Sequence, residues 1–288
     1  VTRTWTLTWS ELARRTLRAT YEDNCLGLAA QLAYYFFLAL FPALLFLLAL
    51  ASFFPSRLID DLVGTLALVA PGDVLSIIRD QLTRIAAGEH GGLLTLGIVG
   101  AVWSSSAALG AMVDAMNQAY DVTETRAWWR VRLLAIVLTV VLALFILLSF
   151  TLVLVGPWAA GYVARHTGLG PAFEWTWKIA QWPVAFALTT VGMAIVNYFA
   201  PDVEQEWRWV VPGAVLATVL WLATSLGFRA YVTHVTDYNA TYGAVGGIIV
   251  LMLWFYLSGL SILIGAEMNA ELEHASPEGK DPGERVAG

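Results

Sequence analysis

The sequence predicts an all-α, polytopic integral membrane bundle of six transmembrane helices, and three observations predict it. The 288 residues are 58% hydrophobic and 13% charged, with 13 Trp. Ordinary soluble domains carry roughly 25% charged residues, so this chain lacks the charge to solvate a water-facing surface. Six segments reach the roughly 20 apolar residues that cross about 30 Å of hydrocarbon. All six are free of internal Asp, Glu, Lys and Arg, each of which costs at least about 2.5 kcal/mol near the bilayer centre.

The spans are residues 26–54, 92–112, 133–155, 179–200, 209–228 and 242–266, and together they form one membrane domain, 26–273. Their orientation follows from the basic residues in the flanking segments. Arg3, Arg14, Arg15, Arg18, Arg126, Arg130, Arg132, Arg208, Lys280 and Arg285 fall on one side. The other side holds Arg57, Arg79, Arg84, Arg165, Lys178 and Arg229. The larger set marks the cytoplasmic face, so both termini are expected inside.

Residues 1–25 show no apolar core of a cleavable leader. Trp5, Trp9, Leu12 and Leu17 alternate there with Arg14, Arg15 and Arg18, which predicts an amphipathic helix in the cytoplasmic interface. Residues 57–89 place Leu58, Leu62 and Leu66, then Leu75, Ile78 and Leu82, at helical spacing among acidic and basic residues, with Pro71-Gly72 between the two runs. This predicts an extracytoplasmic connection of two amphipathic helices. The polar tail, 274–288, is expected to be disordered.

Composition also excludes functions. A formal net charge of -6 supplies no basic field for nucleic acid. Cys25 is the sole cysteine, and His90, His166, His234 and His274 are scattered without metal-ligand spacing. No phosphate-binding glycine loop or nucleophile elbow occurs. No catalytic residue, metal or cofactor is expected. The serines Ser104, Ser105 and Ser106 lie inside the second span, where hydroxyls bond back to the helix or to a neighbouring one.

Small residues recur at spacing four, at Gly97/Ala101, Gly100/Ser104, Gly213/Ala217 and Gly243/Gly247, and such stripes let helix backbones approach. They fit packing within one bundle, a permeation groove, or the seam of a homo-oligomer. Pro42 and Pro183 lie within spans, where each removes a backbone donor and tends to kink the helix. A kink gives shape alone or lines a cavity.

The candidate site lies at the predicted cytoplasmic face. Asp114 and Asn117 stand one turn apart at the end of the second span, Arg126, Arg130 and Arg132 follow, and Glu267, Asn269 and Glu271 leave the sixth span. Opposite charges from three helix ends can meet there, either as an ion network that fixes topology or as a gate or headgroup site, since Arg holds a phosphate bidentately.

Several motifs carry a family resemblance. They are Ala30-Gln-Leu-Ala-Tyr-Tyr-Phe-Phe-Leu-Ala-Leu-Phe-Pro42; Trp103-Ser-Ser-Ser with Asn117 and Tyr120; Arg126 with Trp128-Trp129-Arg130; Tyr198 with Ala200-Pro201; Pro212-Gly213-Ala214 with Trp221; and Tyr242-Gly243-Ala-Val-Gly-Gly, then Trp254, then Gly265-Ala-Glu267-Met-Asn269. In this order they resemble the BrkB/YihY family of bacterial inner-membrane proteins. The resemblance implies a six-span, multi-pass protein with both termini inside. A former ribonuclease BN label of that family is a mis-assignment, and the absence of a metal site or basic surface here agrees. The resemblance further implies transport of a lipid or other amphiphile or solute. Arg126 and Arg130 would then engage a headgroup, Glu267 would pair with an arginine, and Asn117 and Asn269 would give neutral hydrogen bonds. The alternative is a non-transporting envelope scaffold or assembly protein. Expected partners are membrane lipids and, across an outward-facing small-residue stripe, a second copy of the chain.

Overall fold

The computed structural model describes residues 8–51, 91–167, 170–234, 238–276 and 283–285, with backbone alone in 41–51, 91–101, 238–245 and at a few further positions. The described residues form helices without strands: α1 (Trp9–Glu22), α2 (Cys25–Ala51), α3 (Gly91–Ala119), α4 (Trp128–Leu154), α5 (Gly156–Thr167), α6 (Gly170–Phe199), α7 (Trp207–His234) and α8 (Tyr238–His274). The amphipathic connection expected over 57–89 lies outside the described residues.

Four of these helices contain stretches long and apolar enough to cross a bilayer: Trp128–Val153, Ala172–Phe199, Trp207–Tyr231 and Gly246–His274. A shorter apolar stretch, Cys25–Leu40, begins α2. Helix α3, 29 residues long, covers the second predicted span. Neighbour contacts run α8 to α2, α2 to α3, α3 to α4, α4 to α6, α6 to α7 and α7 back to α8, so the six long helices close a ring. Leu133, Val137, Leu144 and Leu148 on α4 are exposed outward, as are Val211, Val215, Val219 and Leu222 on α7. An apolar exterior over a helix interior built from Leu32, Met112, Met116, Leu138, Leu263 and a run of alanines is what a bilayer solvent requires.

The helix nearest the N-terminus starts with a capping arrangement: the Thr8 hydroxyl accepts the Glu11 amide at 3.3 Å. Glu11 then pairs with Arg14 and Arg15, and Arg18 with Glu22. Leu12, Thr16 and Thr20 are buried, and Leu12 packs on Trp209 and Leu272. Trp9, Leu17 and Tyr21 stay exposed on the adjoining stripe. Leu12 therefore does not share a free apolar face with Trp9 and Leu17, because the docking of α1 on α8 consumes it. The chain reverses into α2 through Asn24, whose φ of 52° is one that asparagine tolerates better than most residues.

Two expectations change. Helix α6 starts at Gly170, ahead of residue 179, and is preceded by α5, because Glu174 and Lys178 end an apolar count without ending a helix. The tail is not wholly loose: Arg285 donates to the Thr125 hydroxyl at 2.5 Å and to the Thr123 carbonyl, and the Glu204 amide donates to the Arg285 carbonyl at 2.9 Å.

A close helix crossing joins α7 and α8. A methyl group built on Gly265 would lie 2.5 Å from the Gly213 carbonyl oxygen and 2.8 Å from Ala217 Cβ, and one built on Gly213 would strike the Gly265 carbonyl and the Asn269 side chain. Gly110 on α3 has open space around it. Gly265→Ala should therefore cost roughly 1–3 kcal/mol by overpacking, whereas Gly110→Ala should be neutral or gain up to about 1 kcal/mol. Thermal unfolding of the two purified variants in one detergent checks the contrast.

Candidate functional site: the polar helix-end cluster

The polar side chains of the predicted site separate into two groups. The first ties the α3–α4 loop to the α6–α7 loop. Arg126 is its centre, donating to Glu124 from Nη2 at 2.7 Å and from Nε at 2.8 Å. The same guanidinium caps α6, reaching the carbonyls of Ala200 at 2.7 Å and Phe199 at 3.3 Å, where the negative end of the helix dipole favours a cation. Asp202 lies 3.5 Å from Arg126 Nε and accepts the amide and hydroxyl of Thr125 at 2.9 and 2.6 Å. Asn117 donates to Glu124 at 2.9 Å and accepts the Asp202 amide at 2.7 Å. Arg285 stands 3.7 Å from Asp202. An adjacent cleft of about 600 Å³ is lined by Arg126, Tyr198, Asp202, Gln205 and Arg285 among others.

The second group is buried between α2, α6, α7 and α8. The Asn269 carbonyl oxygen accepts the Gly213 amide at 2.7 Å, and its amide nitrogen lies 3.5 Å from Asn197 Oδ1. Gln205 donates to the Asn197 carbonyl at 3.2 Å and accepts the Tyr120 hydroxyl at 3.2 Å. Tyr120 is wholly enclosed, and burial beside Glu273 and Glu267 pushes its phenol well above the ordinary value. Glu267 is 1% exposed and accepts the Cys25 thiol at 3.0 Å. The expected pairing of Glu267 with an arginine is not what the geometry shows. The exit of α8 turns Glu267 toward the first residue of α2, while Arg126 belongs to a loop held at the end of α6.

The remaining sequence-predicted residues stand apart. Asp114 is exposed on α3 and joins no ion pair among the described residues. Arg130 is exposed, its guanidinium 5.2 Å from the Trp129 ring. Ser104 is exposed, and Gly247 has open space around it. Gly97, Gly100, Pro42 and Gly243 fall where only the backbone is described, and Pro183 sits inside a continuous α6. Sequence reading missed Glu124, Asp202, Asn197, Gln205 and Cys25 as participants. The one available signal was polar side chains at the edge of apolar segments, because decisive partners are far apart in sequence: Thr125 and Asp202 are 77 residues apart, Cys25 and Glu267 242. Among the described residues, no group of three His, Cys, Asp or Glu side chains could hold a metal ion.

Two pH effects follow. Burial raises the Glu124 carboxyl, but hydrogen bonds from Arg126 and Asn117 outweigh it and hold it below the ordinary value. Asp202 is likewise held down against burial, by Thr125, Arg126 and Arg285. Depressed carboxyls stabilise the fold above their unfolded values and lose that contribution as pH falls through the folded ones. Arg126→Gln strands two acids and should cost about 3 kcal/mol near neutrality, and the gap to wild type should narrow on acidification in a pH series of melting curves. Asp23, between α1 and α2, has the opposite sign. Burial, then the charges of Asp121, Glu22 and Glu271, lifts it to about 6, so its ionisation weakens the fold as pH rises through that value. Asp23→Asn should raise the melting temperature above pH of about 6 and leave it unchanged below about 4.

The family profile described as virulence factor BrkB matches residues 16–287. The chain is 38% identical over 244 residues to the ribonuclease-like protein YfkH of Bacillus subtilis, covering 85% of this chain and 88% of that protein. It is 29% identical over 275 residues to the UPF0761 membrane protein RSc1559 of Ralstonia nicotianae, covering 91% of this chain and 58% of that protein. A UPF0761 membrane protein of Alkalilimnicola ehrlichii is 27% identical over 266 residues, covering 87% of this chain and 56% of that protein. The chain thus spans little more than half the length of these two UPF0761 relatives. No solved structure matches. With a profile match across nearly its whole length and apolar helices of span length, the chain is a membrane protein that belongs to the BrkB family.

Proposed function

We propose that the chain is a six-span protein of the bacterial inner membrane, with both termini cytoplasmic, that moves a lipid or another amphiphile across the bilayer without a catalytic step. One observation carries this reading. A groove of about 540 Å³ lies among α2, α3, α4 and α8, lined by Phe36, Leu40, Leu109, Leu142, Ala143 and Phe255, and among the described residues no charged side chain is in its lining. Its volume falls within the roughly 300–1,000 Å³ typical of ligand sites, and its wall suits a hydrocarbon chain rather than an ion or sugar. The exposed Trp9, Leu17 and Tyr21 of α1 support the interfacial placement of that helix at the cytoplasmic surface.

In this reading the residues of the helix-end cluster divide their work. Asn117, Arg126, Glu267 and Asn269 hold the helix ends in register, and the exposed Arg130 and Asp114 meet the headgroup layer. The YfkH name is that relative's own label and lends no support to ribonuclease chemistry in this chain.

Leaflet exchange of fluorescent phospholipids in liposomes carrying the full chain tests the proposal. Exchange should exceed that in empty liposomes and should fall severalfold in Ala143→Phe, which fills the groove. Equal exchange with and without correctly inserted protein would sink the transport reading and favour the scaffold.

A further inference from the structure

We propose that Arg132, seated on Trp103 beside residues of the apolar groove, holds the phosphate of an anionic phospholipid whose acyl chain lies in the groove. This rests on the lipid reading above and names the class of lipid. Arg132 lies within the apolar stretch Trp128–Val153 of α4, where a cation is expensive unless it is matched by a counter-charge. Its guanidinium donates from Nη2 to the Trp103 carbonyl oxygen at 2.5 Å and lies 4.2 Å from the centre of the Trp103 ring. That carbonyl already accepts the Ser106 hydroxyl at 2.7 Å. The Nε–H of Arg132 is buried without a hydrogen-bond partner, and no carboxylate pairs with Arg132 among the described residues.

The contrast with Arg126 is informative. There the protein supplies two carboxylates and two carbonyls to one guanidinium. Arg132 has a neutral carbonyl and an aromatic face, which position a guanidinium but leave its charge unmatched. The bilayer is the source of the missing anion, and the phosphate of a lipid is the anion that a planar guanidinium binds well.

Position selects a lipid over a free phosphate. Trp103, to which Arg132 is anchored, lies between Val102 and Ser105, both of which line the groove. Thr139, two turns along α4 from Arg132, lines it as well. Trp103 is 54% exposed, so the seat of the guanidinium opens toward the surface that lipid covers. The groove wall thus includes residues that flank the aromatic seat of Arg132 on α3 and follow Arg132 along α4. An anionic phospholipid offers both parts in one molecule, and a phosphatidylcholine offers the chain while its own ammonium competes with Arg132 for the phosphate.

The full chain, purified from equimolar phosphatidylglycerol and phosphatidylcholine in mild detergent, is analysed by native mass spectrometry for retained lipid. Wild type should retain phosphatidylglycerol over phosphatidylcholine by roughly five- to tenfold, the scale of one well-placed arginine at a membrane surface. Arg132→Gln should abolish the preference, Arg132→Lys should keep part of it, and Ala143→Phe should lower retention of both lipids. Equal retention by wild type, or an undiminished preference in folded Arg132→Gln, overturns the proposal. If Arg132→Gln does not fold, undiminished phosphatidylglycerol retention in Ala143→Phe overturns it. Retention with the expected preference but without leaflet exchange rejects transport and leaves the site standing, whereas exchange without preference rejects the site alone.

Discussion

The close approach of α7 and α8 at Gly213 and Gly265 is the constraint on which the rest of the bundle depends. Two backbones meet there with no room for a side chain on either glycine, and Asn269 hydrogen-bonds across the junction to the Gly213 amide. In a bilayer, apolar surface has little reason to leave lipid for another helix, so close packing and buried hydrogen bonds must supply the association. Helix α8 is well placed to transmit that contact. It also packs on α1, α2 and α3, and from its last turns it presents Glu267 to Cys25 and Leu272 to Leu12.

Charge is managed in two different ways at this end of the molecule. Around Arg126 the chain neutralises its own cation and uses it to finish a helix, joining loops that are far apart in sequence. Arg285, brought back from the tail, adds a second cation to the same acid, Asp202. Such a network holds geometry, and its groups are too fully engaged to be the first contact of a lipid headgroup. Along α4 the arrangement is different: Arg130 lies over Trp129 and Arg132 over Trp103, two cations seated on aromatic rings instead of on acids. An aromatic ring positions a guanidinium without neutralising its charge. The functional proposals follow from that difference in counter-charge.

Much of the candidate site was legible as composition and little of it as geometry. Asn117, Arg126, Glu267 and Asn269 stood out because polar residues at the ends of apolar segments are few. Their partners did not stand out. Glu124 is an ordinary loop acid, and Asp202 follows a proline in a short turn. Only the fold shows that one accepts from Arg126 and Asn117 and that the other accepts from Thr125. Glu267 illustrates the limit: an acid next to arginines in a list of helix ends suggests an ion pair, yet the rotation of α8 turns it inward to a thiol. The small-residue stripes behaved similarly. Gly213 faces a close neighbour, but that neighbour is Gly265, and Gly247 faces open space.

The sequence by itself determined that the chain is helical and destined for a bilayer, because hydrophobic content and the scarcity of internal charge are additive properties that need no knowledge of neighbours. It also determined the family, since the motifs lie in order along the chain. The tertiary structure decided which helices touch, which arginine is matched by carboxylates and which is seated on an aromatic ring, and where an apolar groove opens. Those outcomes depend on the rotation of each helix about its axis and on pairings between residues dozens of positions apart. A local pattern fixes which residues share a helix face, and packing alone fixes what that face meets.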